Sequence, residues 1–70
     1  MVDVPDYRIE VLSATQYYLN TEIVVSGMHQ DKIARAIALG VSKEYPAKHV
    51  YLYRGEEFIQ SYEGGEEYPD

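Results

Sequence analysis

The residues best suited to chemistry in this sequence are its tyrosines and the basic side chains beside them. The chain has eight tyrosines among seventy residues, against one phenylalanine and no tryptophan. Tyr51 and Tyr53 are two positions apart, and Lys48 and Arg54 flank them. In a strand, this spacing puts both rings on the same face. Tyrosine offers rigid contact area with a polar tip, so the segment predicts a surface that binds a protein partner.

Other residues join this surface because they lie in or beside predicted strands. The candidate interaction surface comprises Lys48, Tyr51, Tyr53, Arg54, Tyr18 and Tyr62. One alternative is that tyrosine simply suits a pleated, half-exposed surface. A second is that Tyr51, Tyr53 and Arg54 form a stacking platform for single-stranded nucleic acid, although the segment lacks the glycine spacing of an RNA-recognition motif.

Acidic side chains dominate the charge and are concentrated at the end of the chain. The sequence has 12 acidic and 6 basic side chains and a formal net charge of -6. Six of the acids lie in the last fifteen residues: Glu56, Glu57, Glu63, Glu66, Glu67 and Asp70. This charge disfavours binding to duplex DNA or to anionic membranes. It also suggests a further hypothesis, in which the acids imitate nucleic-acid phosphates and occupy a basic groove on a partner protein.

No pattern for catalysis, metal binding or cofactor binding is present. His29 and His49 are twenty positions apart, and the chain has no cysteine. Gly64 and Gly65 are followed by acids, which would repel a phosphate group. We therefore predict a non-enzymatic protein with no catalytic, cofactor or metal site.

The length and composition fit one small folded domain. We predict a lead-in at residues 1–6, a folded core at 7–62 and a flexible acidic tail at 63–70. Small domains without disulfides often gain stability by self-association, so a monomer and a homodimer both stay open. No export signal or long apolar run is visible, and we expect a cytoplasmic protein without membrane contact.

Alternation of apolar residues predicts a hairpin at the start of the core. Tyr7, Ile9 and Val11 alternate with polar residues, as in a half-buried strand. A second strand is predicted at residues 16–26, with a bulge near Asn20 and Thr21. We favour a turn at residues 13–15 over a turn around Asn20, and the two choices pair different residues.

Helical spacing follows the hairpin, and two more strands follow the helix. Ile33, Ala34, Ile37, Ala38 and Val41 recur on one helical face, which predicts a helix from residue 28 or 29 to about 39. The glycine at position 40 is suited to a left-handed stop. A loop at 43–48 then leads to strands at 49–53 and 57–62, joined by a tight turn at the glycine in position 55.

The predicted fold is therefore α+β, a small antiparallel β-β-α-β-β sheet with one amphipathic helix packed on one face. A single helix leaves the opposite face to water or to a partner. If Val50 and Leu52 face the helix, Tyr51 and Tyr53 face outward.

The order of elements resembles that of several small phage and mobile-element proteins. The hairpin that ends at Val24 and Val25, the helix through Ala34 and Ala38, and the return strand carry this resemblance. It covers roughly residues 7–53 and implies a small acidic protein that binds a larger one. No functional residue is carried over from it.

Overall fold

Five antiparallel strands and one helix form the part of the chain that the structure describes. The structure is a computed structural model, and it describes residues 6–14 and 17–68. Its elements are β1 (Tyr7–Ala14), β2 (Leu19–Met28), α1 (Asp31–Glu44), β3 (His49–Arg54), β4 (Glu57–Glu63) and β5 (Glu66–Tyr68). The strands form one sheet in the order β2-β1-β3-β4-β5. The predicted α+β class is confirmed, with one strand more than predicted.

The core lies between α1 and the two central strands, β1 and β3. Ile9, Val50 and Leu52 are fully buried there, as their alternation predicts. The helix contributes the small side chains of Ala34 and Ala38, which are also fully buried. Small residues at these positions let the helix backbone approach the sheet closely.

The helix begins and ends later than the sequence predicts. Strand β2 continues through Met28, which pairs with Tyr7, so α1 begins at Asp31. At the other end, Gly40 lies inside the helix and has no positive φ. The helix ends instead at Glu44, because Tyr45 precedes Pro46 and a residue before proline is disfavoured in the helical conformation.

The first hairpin turns later than the predicted position at residues 13–15. Ser13 and Ala14 still belong to β1, and Ala14 pairs with Leu19. The alternative turn around Asn20 is wrong as well, since Asn20 pairs regularly with Ser13. Residues 15 and 16 lie outside the described part of the chain.

The predicted bulge near Asn20 and Thr21 lies elsewhere in β2. The register shifts on either side of Ile9, where β2 has extra residues at Val24 and at Ser26 or Gly27. Gly27 has a φ of 80°, a conformation that a residue with a Cβ rarely adopts.

The prediction of a flexible tail from residue 63 is wrong for Glu63 to Tyr68. Strand β4 extends to Glu63, and β5 pairs with it through a tight turn at Gly64 and Gly65, which have φ values of 60° and 86°. Two consecutive positive φ values are typical of the two-residue turns that close hairpins. Residues 69 and 70 lie outside the described part.

A buried serine attaches this last hairpin to the helix. The Ser42 hydroxyl donates a hydrogen bond to the Leu39 carbonyl at 2.6 Å and accepts one from the Gly65 N–H at 3.0 Å. Ser42 is completely buried. The β4–β5 hairpin is therefore fixed to α1 as well as to the sheet.

Candidate interaction surface

The sheet face opposite the helix has no second layer over it in the described part of the chain. Tyr51 and Tyr53 alternate along β3 with the buried Val50 and Leu52, which places both rings on this open face. Both tyrosines are partly exposed. The predicted direction of the two rings follows from this register.

Four rings on the open face touch one another and form what we call the aromatic cluster: His49, Tyr51, Tyr53 and Phe58. The Phe58 ring meets Tyr51 and Tyr53 edge to face, with ring centroids 6.1 and 5.9 Å apart. His49 stacks on Tyr51 at 6.4 Å. These distances fall in the range of favourable aromatic pairs, which hold one another in place.

An arginine from the neighbouring strand β1 completes one end of the cluster. The Arg8 guanidinium lies 4.6 Å from the centre of the Tyr53 ring, within the range of a cation–π contact. Its Nε donates to a Glu10 carboxylate oxygen at 2.6 Å, and Nη1 donates to the Gly55 carbonyl. Arg8 is thus held by three contacts and gives this end of the surface a fixed cation.

The other end of the cluster is bordered by acids. His49 Nδ1 lies 3.5 Å from a carboxylate oxygen of Glu63. Glu63 in turn pairs directly with Glu66 across β4 and β5. Like charges at directly opposed positions destabilise a strand pair, so this border favours contact with a positive group.

The structure removes Tyr62 from the predicted interaction surface. Tyr62 pairs with Val50 across β3 and β4, so it shares the helix side of the sheet with Val50, and it is only 1% exposed. Its hydroxyl has no hydrogen-bond partner among the described residues. Burial raises the pKa of the Tyr62 phenol, and the nearby positive charge of Arg35 opposes this shift.

Lys48 and Arg54 are not brought together with the two tyrosine rings. Lys48 Nζ lies 3.1 Å from the Ser13 hydroxyl and 5.5 Å from the centre of the Tyr45 ring. Arg54 pairs with Tyr7 across β1 and β3, on the helix side of the sheet. The cation beside the rings is therefore Arg8, where the sequence suggested Lys48 and Arg54.

Tyr18 is exposed beside the first residue of β2, in the turn of the β1–β2 hairpin. It belongs to neither the aromatic cluster nor the core. Of the six predicted surface residues, the structure joins only Tyr51 and Tyr53, and it does so through Phe58.

The predicted surface left out three residues that the structure places here, Arg8, His49 and Phe58. The polar position of Arg8 between Tyr7 and Ile9 is a signal that it lies on the open face. Phe58 has no such local signal, because β4 shifts its register between the partners of Leu52 and Tyr53. That shift determines that Phe58 pairs with Tyr53.

An open groove adjoins the cluster at His49. It has a volume of about 490 Å³ and lies between the β1 end of the first hairpin and the loop after α1. Its lining residues are Leu12, Ser13, Ala14, Ala47, Lys48 and His49.

Comparison with known proteins identifies no relative: no protein family matches the chain, and neither a curated protein nor a solved structure is significantly similar to it. The resemblance to small phage proteins therefore rests on the order of elements alone. Within residues 6–14 and 17–68, no helix is long and apolar enough to cross a membrane. In the same ranges, no group of three His, Asp or Glu side chains is arranged to hold a metal ion.

Proposed function

We propose that this protein is a non-enzymatic interaction module of the cytosol that binds a protein partner through the open face of its sheet. The observation that carries the proposal is the aromatic cluster with Arg8 at its end, on a face that no other element of the described chain covers. Tyrosine and arginine are among the residues enriched at the energetic centre of protein interfaces.

Mutual contacts in the aromatic cluster favour binding because they reduce the entropy that its side chains lose when a partner binds. Tyr51, Tyr53 and Phe58 already restrict one another's rotation in the free protein. Immobilising a freely rotating side chain at an interface costs about 0.5–1.5 kcal/mol. A surface whose side chains are already in place avoids part of this cost.

The test is affinity capture from the native cell lysate with the double variant Tyr51→Ala/Tyr53→Ala. We expect the captured amount of the partner to fall about tenfold or more, as for truncation at an interface centre. The matched control is Tyr17→Ala/Tyr45→Ala, which removes two exposed tyrosines outside the cluster. Circular dichroism and thermal melting establish that both variants remain folded.

Unchanged capture by the cluster variant would refute the open face as the binding surface. A fluorescence titration with short single-stranded oligonucleotides at low salt separates the two classes of ligand. Binding that is lost in Tyr51→Ala/Tyr53→Ala would assign the face to nucleic acid, where aromatic rings stack on bases.

A second candidate function, occupation of a basic groove on a partner protein, is favoured by the arrangement of the acids. Ordering of β5 fixes Glu66 and Glu67 in an exposed strand, and Glu66 lies directly opposite Glu63. Glu63 and Glu66 lie together on the open face, whereas Glu67 lies on the helix side opposite Tyr62. Carboxylates held on a rigid strand resemble phosphates more than those of a flexible tail do. Capture through this edge should weaken steeply with added salt and with Glu66→Gln/Glu67→Gln. Salt-insensitive capture would contradict it.

A further inference from the structure

The outer edge of β2 is a second surface, separate from the aromatic cluster. Strand β2 is first in the sheet order and pairs only with β1 in the described structure. The helix packs across β1, β3, β4 and β5, away from this edge. Within residues 6–14 and 17–68, the backbone N–H and C=O groups on one side of β2 therefore pair with no other strand.

Within this edge, the segment from Leu19 to Ile23 is regular and unprotected. Its five residues pair in unbroken register with β1, from Ala14 opposite Leu19 to Glu10 opposite Ile23. The segment has one charged residue, Glu22, and no proline. Leu19 and Ile23 are 71% and 57% exposed. Natural edge strands are normally protected by charges, proline, bulges or short length, and here the first bulge comes only at Val24.

We propose that a second copy of this chain binds this edge, with the two β2 strands antiparallel about a two-fold axis at Thr21. In this register Thr21 lies opposite Thr21 of the other copy, and Leu19 lies opposite Ile23 on both sides of the axis. The pairs of Thr with Thr and of Leu with Ile are both favourable cross-strand neighbours. The proposal concerns a different surface from the aromatic cluster and stands independently of the proposed function.

The segment itself selects the register. A two-fold axis between antiparallel strands places one residue opposite its own copy. With the axis at Glu22, two carboxylates would face each other, which is unfavourable. With the axis at Ile23, the bulged residue Val24 would have to pair with Glu22. The axis at Thr21 uses only the regular segment and places Glu22 opposite Asn20.

Two copies of this acidic chain repel each other, and the β2 edge is where that repulsion is weakest. The chain has a net charge of -6, and its acidic strand β5 lies at the other end of the sheet. Pairing of the two β2 edges keeps the β5 edges of both copies as far apart as the sheet allows. Both helices then lie on one side, and the two open faces become continuous through Ile23, Glu10 and Tyr51.

Engineered cysteines test the register directly, because the chain has no cysteine of its own. Directly opposed Cα atoms in antiparallel strands are about 4.5 or 5.5 Å apart, which a disulfide can bridge. We expect Thr21→Cys to form a covalent dimer on mild oxidation. The adjacent control Asn20→Cys should form little covalent dimer, because its diagonal partner is about 8 Å away and beyond bridging distance. Equal cross-linking of both variants would refute the register.

Sedimentation of the purified native chain tests the dimer without engineered cysteines. We expect a two-chain mass at about 100 μM and at least a tenfold weaker association for Thr21→Lys, which puts two ammonium groups face to face. This variant lowers the net negative charge, so lost association cannot come from overall repulsion. Glu66→Lys at the other edge is the control and should leave the mass unchanged. A monomeric native chain at this concentration, or a dimer that Thr21→Lys leaves intact, would overturn the proposal.

Discussion

The two edge strands of the sheet, β2 and β5, differ in length, charge and support. Strand β5 has three residues, two of them glutamates, and its turn is hydrogen-bonded to the helix through Ser42. Strand β2 has ten residues, and its first five are exposed and, in the described part of the chain, pair with β1 alone. Short length and charge are features that keep a strand edge from pairing with other chains. The difference indicates that the β5 edge is closed to pairing with another strand, whereas the β2 edge is open to it; we call them the closed edge and the open edge.

The centre of the sheet and its β2 edge also differ in burial: residues of the centre stabilise the fold, and residues of the edge are available for contact. Strands β3 and β4 contribute Val50, Leu52 and Tyr62 to the buried core. From β2, only Met28 is buried, while Val24 and Val25 pack partly against the core beyond the bulge. The side chains from Leu19 to Ile23 therefore add little to the buried core, although their backbone pairs with β1.

The largest expected change in the free energy of unfolding comes from truncating a leucine in the centre of the sheet. Leu52→Ala removes a fully buried side chain and should lower the free energy of unfolding by about 2–5 kcal/mol. This loss is comparable to the total stability expected of so small a domain, on the order of 5 kcal/mol. Denaturant unfolding at the lowest usable protein concentration measures the change without a contribution from self-association.

The matched control for this substitution is the same change in the open edge strand. Leu19→Ala removes an exposed side chain and should change the free energy of unfolding by no more than about 0.5 kcal/mol. If Leu52→Ala does not fold at all, the result still agrees with the centre of the sheet being the stabilising part. Similar losses for both variants would mean that the first hairpin is part of the cooperative core. This result would contradict the difference drawn between the centre of the sheet and its β2 edge.

A smaller effect is expected where the helix supports the closed edge. Ser42→Ala leaves the Gly65 N–H without its partner and should cost about 1–2 kcal/mol. Hydrogen exchange of the amides in β5 should accelerate, while exchange in β3 should change less. The control is Ser61→Ala, whose hydroxyl makes a longer, exposed hydrogen bond of 3.3 Å to the Tyr68 carbonyl. Exchange that accelerated equally in all strands would show that Ser42 supports the whole fold.

Patterns within single elements could be predicted from the sequence, because burial repeats along a strand or helix. The alternation of Tyr7, Ile9 and Val11 and the helical spacing of Ala34 and Ala38 both correspond to buried positions. These predictions need only the direction of each side chain relative to its own backbone. The α+β class and the uncovered sheet face follow from such patterns.

Features that depend on pairing between elements could not be predicted in this way. Tyr62 and Tyr51 look alike as strand tyrosines, and only the register that pairs Tyr62 with Val50 places it in the core. Phe58 joins the aromatic cluster because of a register shift in β4. Strand β5 was missed because its acidic composition is typical of a flexible tail, although Gly64 and Gly65 carry the signal of a hairpin turn.

The smallest expected effect on stability is the pH dependence caused by Tyr62, whose buried phenol lies beside β5. Burial raises the pKa of Tyr62 above its ordinary value of 10.0, because the folded protein disfavours the phenolate. The resulting stability is present while the phenol is neutral, and it is lost as the pH rises above about 10. Tyr62→Phe should therefore show a smaller decline in the free energy of unfolding between about pH 9 and 11 than the native chain does.

At neutral pH the same substitution tests whether the Tyr62 hydroxyl is bound. The hydroxyl has no hydrogen-bond partner among the described residues, so its removal should change the free energy of unfolding by about 1 kcal/mol or less, or increase it. Tyr51→Phe is the control on the open face and should retain the alkaline decline of the native chain. A loss of about 2 kcal/mol or more in Tyr62→Phe would mean that the hydroxyl makes a stabilising bond, and that the closed edge depends on a polar contact as well as on packing.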